Sequence, residues 1–128
     1  MASVLVLEDD EDMRALLCEL LSMAGVECCV SVGSVEELRQ CSRDVHRAQL
    51  ALLDINLGAG NPTGLDAYEW LVRQRYGGQV VFITGHAATH PELRAAERLH
   101  GVRELMQPVD PDGLIDLLPE ELGASMHP

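Results

Sequence analysis

The chain has 128 residues, the length of one ordinary domain and enough to bury a core without disulfides or metals. Nine basic residues against 21 acidic ones give a formal net charge of −12, and 3% of the residues are aromatic. This charge repels nucleic-acid phosphates and anionic membrane surfaces, and few rings are present for bases to stack on. We therefore expect neither direct nucleic-acid binding nor membrane association.

The first half of the chain alternates short aliphatic runs with stretches of helical periodicity. Strands are predicted at residues 3–8, 26–32 and 49–54, and helices at 10–25 and from 34 to about 45. The first helix is expected to end on a glycine, Gly25. Ser34 with Glu37 predicts a capping box for the second helix.

The second half continues the alternation. A helix is predicted from 63 to 76, ending at Gly77–Gly78, then a strand at 79–84, a helix from 89 to about 100, a strand at 102–106 and a helix from 110 to about 122. Continuous aliphatic strands between helices are typical of a parallel sheet covered on both faces. We therefore predict one α/β domain over residues 1–122 and a short C-terminal tail at 123–128. Its fold class is a doubly wound (βα)5 flavodoxin-like fold, with five parallel strands in the order 2-1-3-4-5.

Several polar residues follow directly on the predicted strands: Glu8 and Asp9, Asp54, Thr84 and Gly85, and Gln107. In a doubly wound sheet these strand ends share one edge, where ligands bind, so the carboxylates of Glu8, Asp9 and Asp54 should converge. Three close carboxylates repel one another unless a cation lies among them, and oxygen ligands with room for water suit Mg²⁺. Taken alone, the acidic run from Glu8 to Asp10 would more simply cap the first helix. Joined to Asp54 and Thr84, it favours a metal site.

The four cysteines form no Cys-x-x-Cys pair, and they lie in segments with the pattern of helix and strand interiors. We expect Cys18, Cys28, Cys29 and Cys41 to be small buried hydrophobic residues rather than metal ligands. The apolar start at 4–7 is too short for a signal sequence, and no run approaches the length of a membrane span. A reducing cytoplasm is the expected location.

The strand-end residues lie in four segments, VLVLEDDEDMR, LLDIN, VVFITG and MQPV, which follow one another along nearly the whole chain. In this order and spacing they resemble the receiver domain of bacterial two-component response regulators. The resemblance implies a phosphorelay signalling domain rather than an enzyme. It implies that Asp54 accepts a phosphoryl group from a phosphohistidine on a histidine kinase or a histidine phosphotransfer protein.

The resemblance also implies roles around the phosphoacceptor. Asp9 would bind Mg²⁺ directly, Glu8 would act through a water, and the backbone carbonyl of Asn56 would be a further ligand. Thr84 would supply a hydroxyl that hydrogen-bonds a phosphoryl oxygen, and Gly85 would leave the approach open. For phosphoryl transfer, the protein would mainly have to position the reacting groups and the metal ion.

Three features depart from the receiver pattern. Gln107 replaces the usual lysine, and losing that charge-assisted bond would cost on the order of 1–3 kcal/mol in the phosphorylated state. The loop at 57–64 is longer than usual, which is either an ordinary surface insertion or a change in access to the site. Glu104 replaces the aromatic residue that rotates on activation. For His86 we prefer a solvated loop position to a role as a site cation.

Other classes fit less well. A phosphatase of the haloacid dehalogenase type needs a second aspartate where this chain has Asn56, and the EDDED segment would repel the phosphate of a flavodoxin-like cofactor. A closer alternative is a degenerate receiver that acts as a phosphorylation-independent protein-interaction module, which Gln107 and Glu104 favour. The complete set of Glu8, Asp9, Asp54 and Thr84 argues against it.

The expected partners are therefore the phosphodonor protein and an unknown downstream protein. The length leaves no space for an output domain, so the chain would act alone or as part of a larger regulator or hybrid kinase. We expect a monomer or a weak dimer.

Overall fold

A computed structural model of the chain describes residues 3–54, 64–84 and 103–106, with the backbone alone at 84 and at 103–106. The helices and strands in these ranges are β1 (Ser3–Leu7), α1 (Glu11–Met23), β2 (Cys28–Val32), α2 (Val35–Gln40), α3 (Ser42–Arg47), β3 (Leu50–Asp54), α4 (Gly64–Arg73), β4 (Gln79–Thr84) and β5 (Arg103–Met106). The helices predicted at 89–100 and 110–122, and the tail at 123–128, lie outside the described residues. No helix in the described ranges is both long and apolar enough to cross a membrane.

The five strands form one parallel sheet in the order β2-β1-β3-β4-β5, as predicted. Every residue of β1 and β3 is buried, which explains why these strands are aliphatic on both faces rather than alternating. The register pairs Leu7 with Val32 on one side and with Leu53 on the other. The strands therefore end side by side at one edge of the sheet.

A separate hydrophobic core covers each face of the sheet. Successive residues of β1 point to opposite faces, so Leu5 and Leu7 join one core while Val4 and Val6 join the other. The first core includes residues of α2, α3 and α4, and the second includes Leu17 and Leu21 of α1. The prediction of helices on both faces is thus confirmed.

The single helix predicted from Ser34 to about residue 45 is wrong, because two short helices occupy this span. Cys41 separates α2 from α3 with φ −104° and ψ 27°, and no side chain caps the start of α3. Cysteine and serine are weak helix formers, so residues 41 and 42 favour a break there. Half of the predicted capping box is present: the Oγ of Ser34 accepts from the Glu37 N–H at 3.2 Å. The Glu37 carboxylate accepts instead from the Gly33 N–H, at 2.9 Å.

Both long helices end in a left-handed residue that reverses the chain. After α1 this residue is Gly25, with φ 98°, as the sequence predicts. After α4 it is Arg75, with φ 57°, and the N–H of Tyr76 donates to the Leu71 carbonyl at 3.0 Å in the same type of turn. The predicted end of this helix at Gly77–Gly78 is therefore wrong, since α4 ends at Arg73 and a non-glycine residue makes the turn.

Two of the four cysteines are covalently paired. Cys18 of α1 and Cys29 of β2 form a disulfide, with Cα atoms 5.9 Å apart. Both residues pack against the second core as the sequence predicts, but the disulfide was not predicted, because the packing of α1 against β2 brings together residues that no sequence motif connects. Cys28 and Cys41 are free and half-buried.

We predict that Arg75→Gly raises the free energy of unfolding by up to about 1 kcal/mol, because glycine adopts the left-handed conformation without the steric cost that a Cβ brings. Urea denaturation of the wild type and the variant measures this difference. Arg75→Ala removes the same charge but keeps the Cβ, so its stability should stay near that of the wild type. Equal stabilities of the glycine and alanine variants would contradict the prediction.

Candidate functional site

Three carboxylates meet at the C-terminal edge of the sheet. Glu8 follows β1 directly, and the pairing of Leu7 with Leu53 places it next to Asp54 at the end of β3. One carboxylate oxygen from each of Glu8, Asp9 and Asp54 can be chosen so that all lie within 4.8 Å of one another. Glu8 and Asp54 are only 3% and 7% exposed, whereas Asp9 is exposed. The structure thus brings the three predicted acidic residues together, and their individual roles stay predictions.

Asp10 is the residue that caps α1, which leaves Glu8 and Asp9 available for the site. The Oδ1 of Asp10 accepts from the backbone N–H groups of Asp12 at 2.9 Å and Met13 at 3.2 Å. The capping interpretation of the acidic run therefore applies to its third member. Glu8 contributes a different bond, in which its Oε1 accepts from the Asp10 N–H at 3.2 Å.

The second oxygen of the Glu8 carboxyl group is an unusual feature of the site. Glu8 Oε2 is buried and has no hydrogen-bond partner among the described residues. The pKa of Glu8 is raised to about 8, chiefly by burial. The Asp10 N–H opposes the rise, while the nearby charge of Asp54 and the carboxyl groups of Asp9 and Asp54 contribute to it. Without a cation, the cluster therefore favours a protonated Glu8.

This donor set fits Mg²⁺. The ion prefers oxygen ligands from one or two carboxylates and keeps several waters, and the exposed Asp9 leaves the cluster open on one side. An unpartnered buried carboxylate oxygen is what a cation or its bound water would satisfy.

The remaining predicted site residues are described in part or not at all. The backbone of Thr84 ends β4, one position beyond Ile83, which pairs with Asp54, so it belongs to the same sheet edge. Glu104 lies in β5 at the position paired with Phe82. Four predicted features lie outside the described residues: Asn56, Gly85, Gln107 and His86. The loop predicted at 57–64 also does so, apart from Gly64, which begins α4.

Arg14 also contacts the acidic segment, although the sequence did not single it out as a site residue. Its Nη1 donates to the main-chain oxygen of Glu8 at 2.9 Å. The available signal was its position in α1, where a side chain reaches back toward the helix N-terminus and so toward Glu8. The contact also depends on the neighbouring β2–α2 loop, which sequence spacing does not reveal.

Comparison with known proteins agrees with this geometry. The family model described as the response regulator receiver domain matches residues 4–119. Among solved structures, the chain is similar to a CheY-like response regulator receiver domain protein from Methanospirillum hungatei, with TM-score 0.76, 23% identity, and 98% of this chain and 97% of that chain covered. It is also similar to the chemotaxis protein CheY4 of Vibrio cholerae, with TM-score 0.75, 21% identity, and 95% and 98% covered.

A third similar structure is the signal receiver domain of a modulated diguanylate cyclase from Desulfovibrio desulfuricans. Its TM-score is 0.74, its identity is 24%, and 97% of this chain and 94% of that chain are covered. Identities this low establish the fold alone. None of the curated proteins matches this chain.

We predict that, in the absence of metal, the free energy of unfolding falls as pH rises from about 4.5 to about 8. Folding raises the pKa of Glu8, so the folded state holds its proton more tightly than the unfolded state across this interval. Within this interval, each unit of pH increase should lower the free energy of unfolding by at most about 1.4 kcal/mol. Glu8→Gln removes the titrating group and should flatten this slope.

Denaturation in EDTA at several pH values tests this prediction. Glu27→Gln changes an exposed carboxylate outside the cluster and should keep the wild-type slope. If Glu8→Gln and the wild type show the same slope, Glu8 is not the titrating group.

Proposed function

The chain belongs to the response regulator receiver domain family, and from that membership we propose that it accepts a phosphoryl group on Asp54 in a two-component phosphorelay. The observation that carries the proposal is the buried Asp54 carboxylate, which lies at the sheet edge beside Glu8 and Asp9. The Asp54 carboxylate lies beside the exposed Asp9, which is the side from which a phosphodonor would approach. It is also surrounded by the negative charge that a divalent cation offsets.

The proposed reaction transfers one phosphoryl group between two nucleophiles. An oxygen of the Asp54 carboxylate attacks phosphorus while the bond from phosphorus to the imidazole nitrogen of the donor breaks. The imidazole leaves with the electron pair of that bond, and Asp54 becomes an acyl phosphate. A histidine kinase or a histidine phosphotransfer protein is the proposed donor.

Asp9, Asp54 and, through water, Glu8 would hold Mg²⁺, together with the carbonyl of Asn56. When bound, this ion neutralises charge on the transferring group. The ionised carboxylates of the chain provide its ligands, so a high pKa at Glu8 makes binding favour neutral to alkaline pH. The protein contributes position, since the paired ends of β1 and β3 hold the nucleophile beside the metal ligands.

Four further residues would shape the phosphorylated state and the signal that it sends. The Thr84 hydroxyl is proposed to bond a phosphoryl oxygen, with Gly85 leaving space beside it. Gln107 offers neutral hydrogen bonds where the family has a lysine charge. With Glu104 in β5 in place of the switch aromatic, we propose that the signal reaches a downstream protein without the usual rotation of a ring in this strand.

We propose a cytoplasmic protein that signals by protein–protein contact. The net charge of −12 disfavours nucleic acid as the direct target. The Cys18–Cys29 disulfide is compatible with this location if it forms transiently.

We predict that incubation with Mg²⁺ and acetyl phosphate adds one phosphoryl group to the wild-type chain, as measured by intact mass. Asp54→Ala should gain none, because it lacks the nucleophile, and omission of Mg²⁺ should abolish labelling. Asp44→Ala removes an exposed carboxylate of α3 and should be labelled like the wild type.

Two results would contradict the proposal. One is a wild-type chain that gains no mass with any donor, and the other is equal labelling of Asp54→Ala. The first result would favour a phosphorylation-independent interaction module.

We predict that Gln107→Lys raises the steady-state phosphorylated fraction, because a charge-assisted bond to the phosphoryl group contributes about 1–3 kcal/mol. Gln107→Met lacks donors and should show a fraction at or below that of the wild type. Time courses of intact mass after removal of acetyl phosphate measure the lifetime. Identical amounts and lifetimes in all three proteins would show that position 107 does not contact the phosphoryl group.

A further inference from the structure

Arg14 lies between Glu8, in the β1–α1 loop, and Gly33, in the β2–α2 loop, beside the acidic cluster. The proposed function does not use it. Its backbone N–H donates to the carbonyl of Asp10, the N-cap of α1, at 2.9 Å. Because helical side chains lean toward the N-terminus, the guanidinium reaches back along the first turn. There its Nη1 donates to the main-chain oxygen of Glu8 at 2.9 Å.

The oxygen that Arg14 binds belongs to the peptide group between Glu8 and Asp9. A peptide group is planar, so a bond to this oxygen orients the plane that carries Asp9. The other side of Glu8 is held as well, since its N–H donates to the Val32 carbonyl at 3.0 Å. The main chain of Glu8 is thus bonded on one side to β2 and on the other to Arg14.

Gly33 provides the space in which the guanidinium lies. A Cβ added at position 33 would lie 2.5 Å from Arg14 Nη1 and 3.6 Å from its Cζ. Gly33 has no left-handed φ that would require glycine. Its N–H is held by the Glu37 carboxylate at 2.9 Å, so the main chain at position 33 is anchored. The Arg14 side chain, rather than the turn, therefore accounts for glycine here.

We propose that Arg14 is a positioning residue for the metal site. Its bond to the Glu8 carbonyl, made possible by Gly33, holds the Glu8–Asp9 segment in the arrangement that binds a divalent cation. This inference rests on the proposed Mg²⁺ site. It adds two residues to that site that do not touch the ion, one on α1 and one in the β2–α2 loop.

The charge of Arg14 and its position would act in opposite directions on Mg²⁺ binding. If the charge alone mattered, Arg14→Ala would strengthen binding, because one fewer cation would repel the ion. If the bond to Glu8 matters more, the same variant weakens binding, because Asp9 loses its orientation. The sign of the change therefore separates the two effects.

Gly33→Ala tests the contact without changing any charge. Its added methyl group would displace the far end of a flexible side chain, so the fold should tolerate the substitution while the Arg14–Glu8 bond breaks. Gly77→Ala is the matched control, since a Cβ there meets nothing within 4 Å. Arg43→Ala, at an exposed position of α3, controls for the loss of one positive charge.

The experiment is calorimetric titration of Mg²⁺ into the wild type and the variants, with the unfolding temperature of each protein measured in EDTA. Arg14→Ala and Gly33→Ala should each weaken Mg²⁺ binding about tenfold, the effect typical of residues that orient metal ligands. The double variant should lose no more than either single variant, because both remove the same bond. Arg14→Lys keeps a donor and should recover part of the affinity.

Unfolding temperatures in EDTA that match those of the two controls would show that the loss concerns the site rather than the fold. If Arg14→Ala does not fold, the comparison of Gly33→Ala with Gly77→Ala decides the question. Independent losses that add in the double variant would overturn the proposal. A loss in Arg14→Ala without one in Gly33→Ala would also overturn it.

The outcome for the wild type separates this inference from the proposed function. A wild-type chain that binds no Mg²⁺ overturns the proposed metal site itself. A wild-type chain that binds Mg²⁺, with both Arg14→Ala and Gly33→Ala within twofold of it, overturns the positioning role alone.

Discussion

The repulsion among three carboxylates at one edge of the sheet is the constraint on which the site depends. Glu8 and Asp54 are both buried there, and Asp9 lies close enough for one oxygen of each group to fall within 4.8 Å of the others. Such a cluster is unfavourable when all three groups are ionised without a partner, and burial, followed by the neighbouring charge of Asp54, raises the pKa of Glu8 within it. A divalent cation would remove the conflict, so in the proposed function the arrangement that costs stability without metal would provide affinity for the ion.

The fold can hold this arrangement because the packing of β1 and β3 fixes the positions of the acidic residues that follow them. β1 and β3 are buried along their whole length, and each contributes side chains to both cores. A slip of one strand past the other by one residue would change the placement of Glu8 relative to Asp54, and it would take every side chain of that strand to the wrong face. The hydrophobic cores thereby hold the charged edge in register.

Hydrogen bonds near the end of β1 give the residues of the acidic run from Glu8 to Asp10 different roles. Asp10 caps α1, whereas the main chain of Glu8 is bonded to Val32 and to Arg14. The β1–α1 loop is thus bonded both to the end of β2 and to α1 beside the cluster. The Cys18–Cys29 disulfide joins the same two elements, α1 and β2, farther along the helix. Conformational changes in the site would therefore be shared between the first two strands and α1.

Periodicity and residue type determined much of this protein without tertiary information. Aliphatic runs bounded by polar residues predicted all five strands, including β4 at 79–84 without error. The strand-end position of Glu8, Asp9 and Asp54 predicted their convergence, because parallel strands end at a common edge. These features depend on local pattern and on a topology rule, both of which a sequence carries.

Contacts between distant segments were decided by the tertiary structure alone. The left-handed Arg75 and the Cys18–Cys29 bond are features that no local pattern in the sequence indicates. The contact of Arg14 with Glu8 beside Gly33 likewise needs the register of β1 against β2. Sequence spacing specifies which face of an element a residue occupies, but which neighbour it meets depends on the packing of the elements.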